Sequence, residues 1–205
     1  MKNAIPVLGL LMLLSFSLPA QEKSGMKRSI GLTCSAFGTN DVINTAGETL
    51  MGGASYLGKS YYSLGISYVQ PLRSWLDLES GIEYSNHTIT VQPMSMPGMA
   101  YIPYDAKISL INIPVTARIN FLKYLFVNGG LLLDLDLSNA SPIDNQTGIG
   151  ALFGLGARYD MVNGWGAFVN GYYKFHSLIP FSAGSDNYRW RLMEGGLRIG
   201  ITHRF

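Results

Sequence analysis

The sequence predicts an all-β fold, an eight-stranded antiparallel up-and-down transmembrane β-barrel. Eight segments alternate apolar and polar residues with a period of two, and the links between them are alternately long and short. Only 14% of the residues are charged, against roughly 25% in ordinary soluble domains. One cysteine excludes a disulfide framework and a cysteine-based zinc cluster, and a net charge of +2 gives no basic patch for nucleic acid.

The N-terminus predicts a secretory signal peptide over residues 1–20. Lys2 supplies a positive start, and the apolar run 5–18 is shorter than the roughly 20 residues of a membrane-spanning helix. A plausible cleavage site precedes Gln21, so residues 21–27 become a short linker and 28–205 the barrel. An uncleaved anchor or a buried core helix is the alternative, and the polar residues that directly follow Ala20 disfavour it.

The strands follow in order along the chain. The first four place apolar residues at every second position over 30–36, 62–68, 76–84 and 111–121, and the last four over 125–137, 149–159, 165–175 and 197–205. The predicted long links are 38–59, 86–106, 138–147 and 176–188, and the short ones are 71–74, 122–123 and 160–164. This alternation is typical of outer-membrane barrels with long extracellular loops and short periplasmic turns.

The polar face of these strands decides which side meets lipid. It consists largely of Gly, Ser, Asn and a few charges of both signs, which suits a narrow lumen better than a surface in water. Aromatic residues mark both predicted rims. Those near the short turns are Trp75, Phe121, Tyr124, Tyr159, Trp165 and Phe205, and those near the long links are Tyr62, Tyr84, Tyr173 and Phe175. A soluble lipocalin-like barrel, with the apolar face inside, is the alternative.

The last strand ends in an alternating apolar pattern that includes the terminal residue. Its members are Leu197, Ile199, Ile201 and Phe205. An apolar final strand that ends in Phe resembles the signal read by the outer-membrane assembly machinery of Gram-negative bacteria. Outer-membrane lipids and that machinery are therefore the expected partners, and the outer membrane is the expected location.

The segment ISLINIPVTARINF, residues 108–121, resembles the PorT-like outer-membrane β-barrel family of Bacteroidetes-type bacteria. The stretches NGGLLLDLDL, GIGALFGLGARYD and NGYYKF and the ending IGITHRF extend the resemblance over about residues 28–205. These motifs are architectural. The resemblance therefore implies the fold and the outer membrane, and it implies no active site.

Charged residues on the inward face predict a network in the lumen. Counting from the periplasmic ends of strands three and four puts Glu79 level with Arg118, so we expect these two to pair. The same counting puts Lys174 near Glu194, and Arg198 level with Glu83. Because buried charges are costly unless paired, such a network would plug and stabilise the barrel. A charged, water-filled constriction is the alternative interpretation.

No catalytic, metal or cofactor site is expected. The three histidines lack metal-ligand spacing: His87 is expected at a loop base and His203 at the lipid interface. His176 and Ser177 are interpreted as neighbouring loop residues, with no particular carboxylate to orient the imidazole.

The sequence thus predicts a non-enzymatic barrel with a structural or surface-interaction role, and it leaves open a protein partner at the cell surface or in the periplasm. The link 86–106 contains methionine, proline and tyrosine residues that could bind a surface partner or lie against the membrane. A narrow pore for small solutes is the second hypothesis. A lipid-modifying enzyme is the third.

Overall fold

The computed structural model describes residues 27–44, 54–93, 102–138, 141–181 and 189–205. Two predicted segments lie outside these ranges, the signal peptide and most of the linker 21–27. So do Met94, Met96 and Met99 of the predicted link 86–106. Within the ranges, no helix is long and apolar enough to cross a membrane.

Eight antiparallel strands form a closed barrel in which each strand pairs with its sequence neighbours and β1 pairs with β8. The fold prediction is therefore confirmed. The strands are β1 (Ser29–Asn44), β2 (Ser55–Arg73), β3 (Leu76–Gln92), β4 (Tyr104–Phe121), β5 (Leu125–Asp136), β6 (Gly148–Asp160), β7 (Trp165–Pro180) and β8 (Trp190–Arg204).

The two ends of the barrel differ in their connections. At one end, here called the turn end, short turns join β2 to β3, β4 to β5 and β6 to β7. The last of these turns closes with a hydrogen bond from Met161 N to Trp165 O (2.7 Å), and Gly164 in it adopts a φ of 88°. A left-handed φ of this kind favours glycine. The opposite end, where the longer links lie, is here called the loop end.

The strands continue further toward the loop end than the sequence pattern predicts. The structure extends β1 to Asn44 and starts β2 at Ser55, so the predicted link 38–59 is too long. The predicted links 86–106 and 176–188 are wrong in the same way, because β3 ends at Gln92 and β7 at Pro180. In β3 the alternation persists in this extension with its polarity reversed, and in β1 and β7 a bulge or register break interrupts it, so these segments resemble loops in the sequence.

The outer wall carries a broad band of exposed apolar side chains. Leu32 is 69% exposed, Leu131 61% and Ile201 60%. The positions between them point inward and are largely polar or glycine. This band, with apolar residues outside and polar residues inside, has the orientation predicted for a lipid environment, so the lipocalin-like alternative is wrong for this part of the barrel.

On β2, β3 and β4 the polarity reverses beyond Tyr62 and Tyr84. Apart from Leu57, outward residues in this loop-end extension, defined as 55–61, 85–92 and 104–109, are mostly polar: Lys59 binds Asp105 at 2.5 Å, and Thr90 donates to Asp105 at 2.8 Å. Inward residues form an apolar cap over the lumen. The cap consists of Ile89, Ile108, Leu110, Ile143 and Leu192.

Segment 141–147 closes the cap from the loop side. Gln146 donates from Nε2 to Trp190 O (3.0 Å) and accepts at Oε1 from Leu192 N (3.0 Å), so its side chain bridges the backbone of β8. Its own backbone N donates to Asp136 Oδ2 at 2.9 Å. These bonds hold Ile143 inside the barrel mouth, where it is 7% exposed.

Candidate functional site

The candidate functional site is the lumen, which side chains fill from the turn end to the apolar cap. Three layers follow one another along the barrel axis. A pair of phenylalanines lies nearest the turn end, a chain of ion pairs lies in the middle, and a histidine-containing polar layer lies beneath the cap.

The turn-end layer packs aromatic rings against a guanidinium group. Phe126 and Phe168 meet edge to face with centroids 6.3 Å apart, and the Arg118 guanidinium carbon lies 4.3 Å from the Phe126 centroid. The wall makes room with glycines, since a Cβ at Gly156 would lie 2.3 Å from Phe126 and one at Gly200 would lie 2.4 Å from Phe168. The two rings therefore fill the lumen at this height.

A small cavity of about 160 Å³ lies between this layer and the turn end. It is lined by several cationic side chains and two acidic ones, Asp77 and Asp160. Arg158 Nη1 lies 3.2 Å from Asp77 Oδ2, and Arg204 pairs with Asp160. The cavity reaches as far as Arg118 and Phe168.

The middle layer contains all six charged residues singled out in the sequence, and they alternate in sign. Arg118 Nη2 lies 2.6 Å from Glu79 Oε2. The other carboxylate oxygen of Glu79, Oε1, lies 2.9 Å from Arg198 Nη2. Arg198 Nη1 lies 3.2 Å from Glu83 Oε1. Lys174 Nζ then bridges Glu83 Oε2 at 2.6 Å and Glu194 Oε1 at 2.9 Å. We call this series the ion-pair chain.

Each member of the ion-pair chain is at most 3% exposed, so each charge has lost nearly all of its hydration. Burial of an unpaired charge costs several kcal/mol, and a second charge in good geometry offsets that cost. The chain meets this requirement because each of its three cations contacts at least one carboxylate. The Lys174–Glu83 contact crosses from β7 to β3, and counting along neighbouring strands does not predict it.

The layer beneath the cap joins two histidines to a carboxylate pair. His176 Nδ1 lies 3.0 Å from Asp134 Oδ1, and Ser177 N donates to Asp134 Oδ2 at 3.1 Å. His87 Nε2 lies 3.2 Å from Glu194 Oε2, and His176 Nε2 lies 3.7 Å from the same oxygen. All of these side chains are fully buried.

The sequence-based interpretation of these two histidines is wrong. His87 does not lie at a loop base but inside β3 with no exposed surface, and it stacks on Tyr61. His176 and Ser177 are not loop residues but buried members of β7, beside a break in the β6–β7 register. Asp134 does orient His176, although no carboxylate had been assigned that role. The sequence does contain a signal for His87: it lies at an odd-numbered position of β3, as Glu79 and Glu83 do, and therefore on the same inward face.

A network of neutral side chains supports the same layer. Asn112 donates to Asp134 Oδ1 at 2.7 Å and accepts from Ser85 Oγ at 2.9 Å. Ser85 Oγ in turn lies 3.1 Å from His87 Nε2. Asp134 therefore accepts hydrogen bonds from Asn112 on β4 and from the backbone N of Ser177 on β7, in addition to its contact with His176.

The remaining sequence-selected residues lie on the outer wall. Leu197, Ile199 and Ile201 point outward with 44% to 60% exposure, and Phe205 is 62% exposed at the turn end. The Phe205 backbone N donates to Arg28 O at 3.0 Å, which ties the two ends of the described barrel together. His203 packs edge to face on Trp165 with centroids 5.0 Å apart.

Comparison with solved structures finds an outer-membrane protein with a similar fold. The outer membrane protein OprG from Pseudomonas aeruginosa is similar over 88% of this chain and 96% of its own, with 13% identity and a TM-score of 0.51. The translocator domain of the autotransporter NalP from Neisseria meningitidis aligns with 13% identity over 100% of this chain and 97% of its own, at a TM-score of 0.34. The NanC porin aligns with 10% identity over 87% and 100%, at a TM-score of 0.24. No protein-family model and no curated protein matches the chain.

Proposed function

We propose that this chain is an outer-membrane barrel with a closed lumen, and that its role is structural or interactive. In this proposal the N-terminal signal exports the chain, and the assembly machinery inserts it with the help of the apolar C-terminal strand. The turn end then faces the periplasm, and the loop end faces outward. The resemblance to the PorT-like family agrees with this placement but adds no activity.

The height of the outer apolar band supports a membrane location. On β4 the outward apolar positions run from Ile111 to Phe121, close to the roughly 9–11 residues that a tilted strand needs to cross the hydrocarbon core. Trp75, Tyr159 and Trp165 are each about half exposed at the turn end, where an interfacial aromatic belt is expected. Beyond Tyr84 the outward residues of β3 and β4 become polar, as they should on leaving the bilayer.

The observation that carries the closed-lumen proposal is the ion-pair chain. It runs from Arg118 to Glu194 without a gap in its contacts, and none of its members exceeds 3% exposure. Hydrated ions passing this level would have to separate buried pairs. The phenylalanine pair on one side and the apolar cap on the other add two further obstructions.

The competing function is a narrow pore for small solutes. The cavity at the turn end favours it, because a charged vestibule is how a selective pore would begin. In the pore model the ion-pair chain is a selectivity constriction, and in the closed model it is a plug. The two models differ in one measurable property, the conductance of the intact barrel.

Single-channel recording in planar bilayers tests the proposal. The full chain is extracted or refolded in detergent, and its folded state is verified by a difference in gel mobility between boiled and unboiled samples. We expect folded protein to insert without discrete conductance steps. Steady, ion-selective steps would overturn the closed-lumen proposal, and a change in their selectivity in Glu79→Gln would then assign the constriction to the ion-pair chain.

Experiments on whole cells test the two remaining alternatives, a lipid-modifying enzyme and a soluble barrel. We expect no chemical change in lipid A when cells with and without the gene are compared by mass spectrometry. A reproducible mass difference would favour a lipid-modifying enzyme. Recovery of the protein from the periplasmic fraction, with no heat-dependent mobility shift, would contradict the membrane location.

A further inference from the structure

Beneath the apolar cap, side chains from β3, β7 and β8 converge on a single point. One imidazole nitrogen of His87, one of His176 and one oxygen of Glu194 all lie within 4.8 Å of one another, and all three residues are buried. We propose that these three residues bind a divalent transition-metal ion such as Zn²⁺, with Asp134 as the carboxylate that orients His176. This site is independent of whether the lumen conducts.

Two of the three distances between the candidate ligand atoms agree with a tetrahedral metal site, and the third, between the two imidazole nitrogens, is at most 4.8 Å. Zinc bonds to imidazole nitrogen and carboxylate oxygen are about 2.0–2.2 Å long, which places neighbouring tetrahedral ligands about 3.3 Å apart. Glu194 Oε2 lies 3.2 Å from His87 Nε2 and 3.7 Å from His176 Nε2. Two imidazoles and one carboxylate form a common protein ligand set for zinc.

Two of these atoms also lack a hydrogen-bond partner. Neither Glu194 Oε2 nor His176 Nε2 makes a hydrogen bond to any residue that the structure describes, although both are fully buried. Unsatisfied buried polar atoms are rare in native proteins, because each costs the desolvation of the group. A metal ion between these atoms would satisfy both.

The surroundings of the site support metal binding through His176. Its Nδ1 lies 3.0 Å from Asp134, which leaves Nε2 aimed toward Glu194. Metal-binding histidines usually use their second nitrogen in this way, since the carboxylate sets the ring orientation and raises the basicity of the ligand. Asp134 is itself fixed by Asn112 at 2.7 Å.

The charges nearby leave room for one more cation. Among the described residues of the middle and polar layers, four carboxylates (Glu79, Glu83, Asp134 and Glu194) face three permanent cations (Arg118, Lys174 and Arg198). Lys174 engages Glu194 through Oε1 at 2.9 Å and therefore leaves Oε2 to the histidines. A proton shared among His176, Asp134 and Glu194 is the competing way to balance this charge, and the experiment must separate the two.

Cobalt substitution tests the proposal. The untagged full chain is refolded from urea into detergent micelles with one equivalent of Co²⁺, because the closed barrel would hinder later entry, and is then desalted. We expect about one cobalt per chain with the visible absorption of a tetrahedral site, and its loss when an excess of Zn²⁺ is present together with Co²⁺ during refolding. His87→Gln and His176→Gln should each retain at least ten-fold less cobalt.

His203→Gln is the matched control, since His203 lies on the outer wall at the turn end, and it should retain cobalt like the wild type. The gel mobility of unboiled samples shows which variants form a barrel. If a histidine variant does not fold, the near-isosteric Glu194→Gln is used in its place to remove a candidate ligand. Failure of the wild type to retain cobalt would overturn the proposal in favour of a shared proton. Equal retention in folded His87→Gln and His176→Gln barrels would also overturn it.

Discussion

The outer apolar band and the loop-end extension lie on the same strands but have opposite polarity. On β4, outward Val115 is 40% exposed and apolar while inward Thr116 and Arg118 are buried and polar. Higher on the same strand, outward Asp105 and Lys107 are polar while inward Ile108 and Leu110 are completely buried. One strand thus has two interiors, one filled by ion pairs and one by apolar packing.

A period of two in the sequence therefore identifies a strand but does not show whether its polar or its apolar face points into the barrel. The backbone pairs identically in both regions, since β3 and β4 remain in register from Leu76 to Val91 on the β3 side, apart from a gap near Gly81. The surrounding medium selects the polarity, because lipid favours apolar side chains and water favours polar ones on the outer wall. We therefore infer that the point of reversal marks the membrane boundary.

Reversing one charge of the ion-pair chain should have the largest effect. Arg118→Glu places a carboxylate against Glu79 in a buried site, and we expect a loss of at least about 3–5 kcal/mol in the free energy of unfolding. The urea midpoint of unfolding in phospholipid vesicles measures it. Lys123→Glu, an equal charge change at an exposed turn residue, is the control and should change the midpoint little.

Adding Glu79→Arg to Arg118→Glu should restore only part of that stability. The new pair can re-form, but the arginine at position 79 would then face Arg198, which contacts Glu79 at 2.9 Å. Absence of any rescue would sink the direct pairing of Arg118 with Glu79. Complete rescue would mean that the contact with Arg198 contributes nothing.

A pair of substitutions on one face of β4 sharpens the boundary between the two regions. Val115→Lys puts a charge into the lipid-facing band and should cost about 2–4 kcal/mol near the bilayer centre. Lys107→Val, on the same face beyond the boundary, should change stability by less than about 0.5 kcal/mol, as surface substitutions usually do. Both are read from urea unfolding in vesicles, and equal costs would contradict a membrane boundary between these positions.

The smallest effect is expected from an ion pair outside the band. Lys59 and Asp105 pair at 2.5 Å, but their side chains are 56% and 44% exposed. Because water and salt screen such a pair, Lys59→Ala should leave the urea midpoint unchanged within error. A shift as large as that of Arg118→Glu would mean that lipid or a partner covers the extension.

Much of the fold follows from local sequence pattern. The short turn at 74–75 joins β2 to β3, and a second short turn, at 122–124, leads from β4 to β5, so the heights of Glu79 and Arg118 can be counted from the turn end. The histidine layer could not be found in this way. His87 and His176 lie on β3 and β7, which do not pair with each other. Reversed polarity beyond His87 and a register break beside His176 obscure these parts of the strands in the sequence.

The sequence by itself determined the strand period, the turn spacing and the face on which each charge lies, because these depend on neighbours along the chain. The complete set of contacts among the charges depends on the closed sheet, since Lys174 also reaches Glu83 across the lumen from a strand that is not its neighbour. Only the tertiary structure decided that Ile143 returns into the barrel mouth. Such contacts depend on how the closed sheet sets strand number, tilt and diameter, and no local pattern encodes those distances.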